Sequence, residues 1–232
     1  TEAMMATMLS ITNPKDKVVI FSPFYENYGA DTILSGAEPI YVPLVPPDFT
    51  FSIEQLENAF KQGAKALILC NPSNPCGKVF TFEELTAIAD VVKKYDAYVV
   101  TDEVYEHIVY APNKHIYMQA LDGMRERTIV CNSLSKTYSI TGWRLGYVIA
   151  NPEIIDRVKK VHDFLTVGAA APLMEAATVG LKFDDKYYDE LAAHYAHMKE
   201  VFVGGLEKLG LKYTDPQGAY YVLVDVSEFG VK

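Results

Sequence analysis

Several absences narrow the function of this chain of 232 residues before any motif is considered. Its three cysteines, Cys70, Cys76 and Cys131, are too few for a disulfide framework, and Cys70 and Cys131 close apolar runs of strand length. They read as buried thiols of a reducing compartment, not as a metal centre. No apolar run approaches the roughly 18 residues of a membrane helix, and no secretion signal is legible. Positive charge is scarce: 21 Lys and Arg stand against 30 Asp and Glu, a net charge of −9. Such a balance suits neither nucleic acid nor an anionic membrane surface, so neither is expected as a partner; with the thiols read as reduced, a cytoplasmic location is expected. Gly-x-Gly-x-x-Gly is absent, which leaves a dinucleotide without its phosphate loop. A Walker-type lysine loop and a serine in a nucleophile elbow are absent too. Of the five histidines, only His194 and His197 share a helix-like spacing, and they lack a further ligand, so no metal is expected.

Against these absences stands an ordinary globular composition, 50% hydrophobic and 22% charged, over a length that suits one large domain or one and a half. Strand-length apolar runs recur at 18–22, 40–43, 66–70, 97–101, 128–131 and 145–150. Helical patterns lie between them. Ser52-Ile-Glu-Gln55 and Thr81-Phe-Glu-Glu84 have the form of capping boxes. After the second, Phe82, Leu85, Ile88, Ala89, Val92 and Tyr95 repeat on one helix face. Strands alternating with helices predict an α/β fold, a mostly parallel sheet sandwiched by helices. A long helix is expected over 184–209, weakened near its end by Gly204-Gly205. Residues 212–225 then read as the start of a smaller α+β domain. The boundaries expected are 1–185 for the large domain and 186–232 for the connecting helix and the start of the small domain. Both ends read as cut: Thr1 opens inside a helical pattern, and strand-like alternation precedes the last residue.

In open α/β sheets, ligands bind beyond the carboxyl ends of the strands. Here those ends deliver Tyr25 after 18–22 and Asn74 after 66–70. They deliver Asp102 and Tyr105 after 97–101, and Ser133, Ser135 and Lys136 after 128–131. An aromatic ring, an amide, a carboxylate with a phenol, and a hydroxyl-rich loop with a lysine are thus brought to one rim.

Three segments carry a family likeness: Asn71-Pro-Ser-Asn74-Pro-Cys-Gly77, Asp102-Glu-Val-Tyr105 and Ser133-Leu-Ser-Lys136-Thr-Tyr-Ser-Ile-Thr-Gly-Trp-Arg144. In type and order they resemble the signatures of the class I/II aminotransferases, pyridoxal 5'-phosphate enzymes of fold type I. Within that family the chain is similar to the branch with the aspartate, aromatic and kynurenine enzymes. The resemblance runs from a phosphate-binding helix start at Thr1 to a small-domain strand at 218–225. It implies transfer of an amino group from an L-amino acid to a 2-oxo acid, in a homodimer.

The same resemblance assigns roles. Lys136 is the lysine that holds the cofactor as a Schiff base; its amine must shed its proton to attack an aldehyde and can then shuttle a proton at the substrate's α-carbon. Asp102 partners the pyridine nitrogen, where a carboxylate favours the protonated ring. Tyr105 and Asn74 donate to the phenolic oxygen, and Asn74 also touches the substrate carboxylate. Arg144, Ser133, Ser135 and Thr1 form the phosphate cup. Tyr25 stacks on the ring. Lys136, Asp102 and Tyr105 are the catalytic candidates.

Each assignment has a plainer reading: a solvated lysine, a helix-capping aspartate, a core tyrosine, an Asn-Pro turn, a packing tyrosine. Cys76 stands where the family usually has threonine, so tuning and not loss is expected there. The family's substrate-carboxylate arginine is expected beyond Lys232, and a partner-subunit tyrosine before Thr1. Residues 166–172 are a candidate for the segment nearest the partner's site. The alternatives are a same-fold C–S β-lyase or cyclopropane-forming synthase, the sensor domain of a transcription regulator, and a fragment inert by itself.

Overall fold

A computed structural model describes residues 1–230, whose strand-length runs assemble into one six-stranded sheet of order β2-β1-β3-β4-β5-β6. The strands are β1 (Lys17–Ser22), β2 (Glu38–Pro43), β3 (Ala64–Cys70), β4 (Tyr98–Asp102), β5 (Thr128–Ser133) and β6 (Gly146–Ile149). The first five run parallel, and β6 pairs antiparallel with β5. Strand β1 has β2 on one side and β3 on the other. The order therefore reverses at β1, the kind of point where α/β sheets open a crevice.

The helices are α1 (Glu2–Ile11), α2 (Asn27–Leu34), α3 (Ile53–Lys61), α4 (Phe82–Lys94), α5 (Pro152–Leu165), α6 (Ala171–Gly180) and α7 (Asp185–Lys208). Strand pleating sends alternate residues to opposite faces, and both faces are covered. Val18 and Ile20 pack with Met4, Met8 and Ile11 of α1 and Ile154 and Val158 of α5. Val19 and Phe21 pack with Leu56 and Phe60 of α3 and Leu85, Ile88 and Val92 of α4. Full burial of each such side chain contributes about 1.5–3 kcal/mol, so the two layers fix the strands and the loops that leave them.

Thr81 closes a complete capping box with Glu84. Ser52 does half as much: its side chain accepts from Gln55 N–H, but the reciprocal bond is not made. Phe82, expected on the buried face of α4, is 55% exposed, because at the first helical position it lies before the turn that meets the sheet. Asn151 caps α5, with Pro152 at the position that tolerates proline. Helix α7 runs through Gly204-Gly205 without a break.

The strand expected at 218–225 is not formed. Its residues make one antiparallel bridge, Tyr213 to Val224, and another, Val109 to Gly218, back to the large unit. Residues 216–221 lie across that unit as a strap. Gln217 and Gly218 N–H both donate to Gly77 C=O, Tyr110 N–H donates to Gln217 C=O, and Ala219 N–H donates to Ile108 C=O. The fit leaves no space for a side chain at Gly218, where a Cβ would stand 2.8 Å from Pro72 and Val79 carbons. Residues 231 and 232, inside the expected second domain, lie outside the described residues.

Candidate active site

Across β3, β4 and β5 the register is flush: Cys70 pairs with Asp102, and Asp102 with Cys131. The three strands thus bring Cys70, Asp102 and Cys131 to one level, β5 running on to Ser133, and the loops beyond them open around a pocket of about 210 Å³. All nine residues singled out in the sequence line it: Thr1, Tyr25, Asn74, Asp102, Tyr105, Ser133, Ser135, Lys136 and Arg144.

Asp102 ends β4. Its Oδ2 accepts from Tyr28 Oη at 2.7 Å, and its Oδ1 from Val104 N–H at 3.2 Å. No helix follows, so the carboxylate is not a helix cap. Burial drives its pKa above the usual carboxylate range; the bonds from Tyr28 and Val104 draw it partly back, and the charge of Lys136 is felt in the same direction. Tyr28 is itself buried, and burial beside the Asp102 charge holds its phenol protonated.

Lys136 follows β5 on a tight turn, half-buried, with Nζ 5.5 Å from the centroid of the Tyr220 ring. Tyr105 is buried. Its hydroxyl pairs with that of Tyr221 at 2.8 Å, and the Tyr220 ring meets it edge-on at 5.2 Å. Burial above all holds the Tyr105 phenol far above its ordinary pKa.

Asn74 rides on a braced loop. Asn71 Oδ1 accepts from Phe80 N–H, Ser73 N–H donates to Lys78 C=O, and Lys78, 5% exposed, pairs with Glu84 at 2.8 Å. Tyr25, after β1, meets Tyr28 edge-on at 5.7 Å.

At another part of the rim, hydroxyls and a guanidinium converge on a helix start. Ser133 Oγ accepts from Ser135 N–H at 3.3 Å, and Thr141 Oγ1 donates to Ser135 C=O at 3.1 Å. Arg144 donates to Thr141 C=O at 3.0 Å and holds a left-handed φ of 57°. That backbone region is uncommon for a residue with a Cβ and recurs at functional sites. Thr1 caps α1, and its side chain makes no capping bond, so the first backbone N–H groups of α1 keep their donor capacity. This combination is chemically suited to an anion.

Tyr28, Asn132, Thr141 and Tyr221 also line the pocket, and the sequence did not mark them. Tyr28 is three residues past Tyr25, a spacing that places it on α2 under the same rim; Tyr221 carries no local signal. Behind Asn132 lies the one cluster among the described residues with metal-ligand chemistry, Glu103, Glu106 and His115. Its groups are already engaged: His115 with Glu103 at 3.3 Å, and Glu106 with Asn132 and Tyr117 at 2.7 Å each. No helix among the described residues is long and apolar enough to cross a membrane.

A lysine, a half-buried tyrosine-bonded carboxylate and a set of hydroxyls with a guanidinium at a helix start, on fold type I architecture, define a class, and the comparisons agree. The family of class I and II aminotransferases matches residues 1–229, and the chain belongs to it. It is 37% identical to kynurenine–oxoglutarate transaminase 3 of Rattus norvegicus, over 95% of this chain and 52% of that protein. It is 32% identical to a probable N-succinyldiaminopimelate aminotransferase of Mycobacterium tuberculosis, over 99% and 58%. Among solved structures, N-succinyldiaminopimelate aminotransferase from Mycobacterium tuberculosis matches with a TM-score of 0.96 at 32% identity, covering 100% of this chain and 61% of that one. The aromatic aminotransferase from Pyrococcus horikoshii matches with a TM-score of 0.94 at 33% identity, covering 99% and 62%. The chain spans about half the length of the curated relatives it matches.

Proposed function

We propose that the protein is a pyridoxal 5'-phosphate-dependent aminotransferase that moves an amino group from an L-amino acid to a 2-oxo acid. One observation carries the reading: an amine, a half-buried carboxylate, and hydroxyls with a guanidinium at a helix start all line one pocket of about 210 Å³. The donor set fits the cofactor group by group. Thr1, Ser133, Ser135 and Arg144 would hold its phosphate, Asp102 its ring nitrogen, and Tyr105 and Asn74 its phenolic oxygen. Tyr25 would lie against the ring and Lys136 would bind its aldehyde carbon.

Pyridoxal phosphate, when bound, supplies an electron sink for the pair left as a proton departs the substrate's α-carbon. The rest falls to the chain. Lys136 Nζ, freed once the substrate's amine takes its place, would carry that proton from the α-carbon to the cofactor. Asp102, held by Tyr28 and Val104 N–H, presents negative charge to a cationic ring nitrogen; a cation at that place lowers the carboxyl pKa that burial raises. Tyr105 and Asn74 keep negative charge on the phenolic oxygen, and Asn74 orients the substrate carboxylate.

Several accompanying expectations belong to the same reading. The exposed apolar side chains along α5–α7, with Phe164 at 90% and Phe202 at 57%, are the kind of surface that a second subunit covers, in support of a homodimer. The segment 166–172 would then lie near the partner's site. Three buried, unpaired thiols suit a reducing, cytoplasmic setting. The boundary between the large and small units is placed at 185/186. The relatives quoted above are named as aminotransferases, which speaks for transfer over elimination or a sensor role.

The test is incubation of the full-length protein, loaded with pyridoxal phosphate, with single amino acids and 2-oxoglutarate. Glutamate formation without pyruvate or ammonia is expected, and it stops with Lys136→Ala. Ammonia or pyruvate in place of glutamate overturns the proposal in favour of an eliminating enzyme.

A further inference from the structure

The strap of residues 216–221 does more than close the large unit. Its hydrogen bonds reach both loops that bear the expected donors to the phenolic oxygen. Gly77 and Val79, three and five residues past Asn74, bond to Gln217 and Gly218, with Val79 N–H donating to Gln217 Oε1 at 2.9 Å. Ile108 and Tyr110, just past Tyr105, bond to Gln217 and Ala219, and Tyr110 Oη donates to Ala219 C=O at 2.6 Å. The strap then ends on Tyr221. That ring meets Tyr105 edge-on at 5.8 Å, and the two hydroxyls are 2.8 Å apart across 116 residues of sequence.

A tyrosine hydroxyl has one proton and can also accept. If Tyr105 is to donate into the pocket, the proton of the pair must come from Tyr221. We infer that Tyr221 is a positioning residue for Tyr105: its hydroxyl donates to the Tyr105 oxygen, which turns the Tyr105 proton toward the pocket and strengthens it as a donor. A hydroxyl that accepts a bond donates a stronger one, by about 10–30% per bond in a chain. The wall of the pocket that carries Tyr221 comes from a segment beyond α7. The strap therefore ties the position of that segment to the electronic state of the cofactor site. The inference rests on the proposed role of Tyr105.

The test is a pH titration of the bound-cofactor absorption in the full-length protein, for wild type, Tyr221→Phe, Tyr105→Phe and the double variant. A weaker donor leaves the phenolic oxygen more basic, so the neighbouring nitrogen of Lys136 in the loaded protein holds its proton to higher pH. The expected result is a rise in the apparent pKa of about 0.5 unit in Tyr221→Phe and a larger rise in Tyr105→Phe. The double variant should match Tyr105→Phe alone, because Tyr221 acts only through Tyr105. A wild-type pKa in Tyr221→Phe beside a moved one in Tyr105→Phe overturns the inference, and so does a double variant that shows the sum of the two shifts. If Tyr105→Phe moves nothing, the proposed role of Tyr105 fails and the inference falls with it. Should Tyr221→Phe fold poorly, Tyr221→His, which keeps a ring donor, is expected to stay near the wild-type pKa, and Tyr221→Leu to reproduce the rise. Equal values for those two overturn the inference.

Discussion

Along the sheet and the helices against it, Val18, Ile20, Leu67, Ile68 and Val99 are sealed from solvent at 1% exposure or less. Between α5 and α7, Phe164 is 90% exposed, Val167 79% and Val179 61%, and α7 buries only Leu206 of its apolar side chains. The first region closes its own core, and every candidate site residue is anchored to it or to its loops. The second presents apolar surface outward. The sheet region therefore holds most of the pocket, with Tyr221 of the strap completing its wall, while the helical region leaves apolar surface exposed.

The largest effect that would test this division is chemical. Lys136→Ala, which touches the site and none of the core, is expected to lower amino transfer by about a thousandfold or more while leaving the urea-unfolding midpoint unchanged. A shift of that midpoint would mean the site and the core are not separable.

Within the core, Leu67→Ala is expected to cost about 2–5 kcal/mol in urea unfolding through lost burial and a cavity. A cost below about 1 kcal/mol would contradict a closed core there.

Asp31 adds a pH dependence to the same region. It is 4% exposed on α2, its Oδ2 has no partner among the described residues, and burial raises its pKa from 3.8 to about 6. A carboxyl that ionises less readily folded than unfolded favours the folded state at low pH. That advantage is lost as pH rises from about 4 to about 6. Asp31→Asn is therefore expected to flatten the stability profile in that window, a difference of up to about 3 kcal/mol at pH 7 relative to pH 3. Unfolding curves from pH 3 to 8 that stay parallel for the two proteins would refute it.

Tyr25→Leu should weaken pyridoxal phosphate binding by about threefold to tenfold, the worth of one ring contact, measured by fluorescence titration. The smallest effect is expected in the helical region: Phe164→Ser should change the stability of this chain by less than about 0.5 kcal/mol. A loss as large as that of Leu67→Ala would erase the comparison.

Much of this was legible in the sequence because the pattern and the chemistry agree locally. Runs such as 66–70 could only be buried strands, and the polar residues just past them had to meet at the strand ends, where Asn74, Asp102, Tyr105 and Lys136 do line one pocket. Thr81 and Glu84 announced their helix start by spacing alone. What escaped were features that depend on distant chain segments. Nothing near Tyr221 in sequence says that its hydroxyl meets Tyr105, 116 residues away. Alternation at 218–225 read as a strand, yet the backbone groups of Gly218 and Ala219 found partners on Gly77 and Ile108 instead. The periodicity that put Phe82 on the buried face of α4 ignored its place at the helix's first residue.

The flush register of Cys70, Asp102 and Cys131 has a consequence for how such a chain can vary. Because side chains alternate faces, adding or deleting one residue inside β4 would swing the Asp102 carboxylate to the opposite layer and bring Thr101 or Glu103 to the rim in its place. Length changes are thus confined to the connecting helices and turns. Inside the three central strands the residue count is as restricted as the identity of the acid itself.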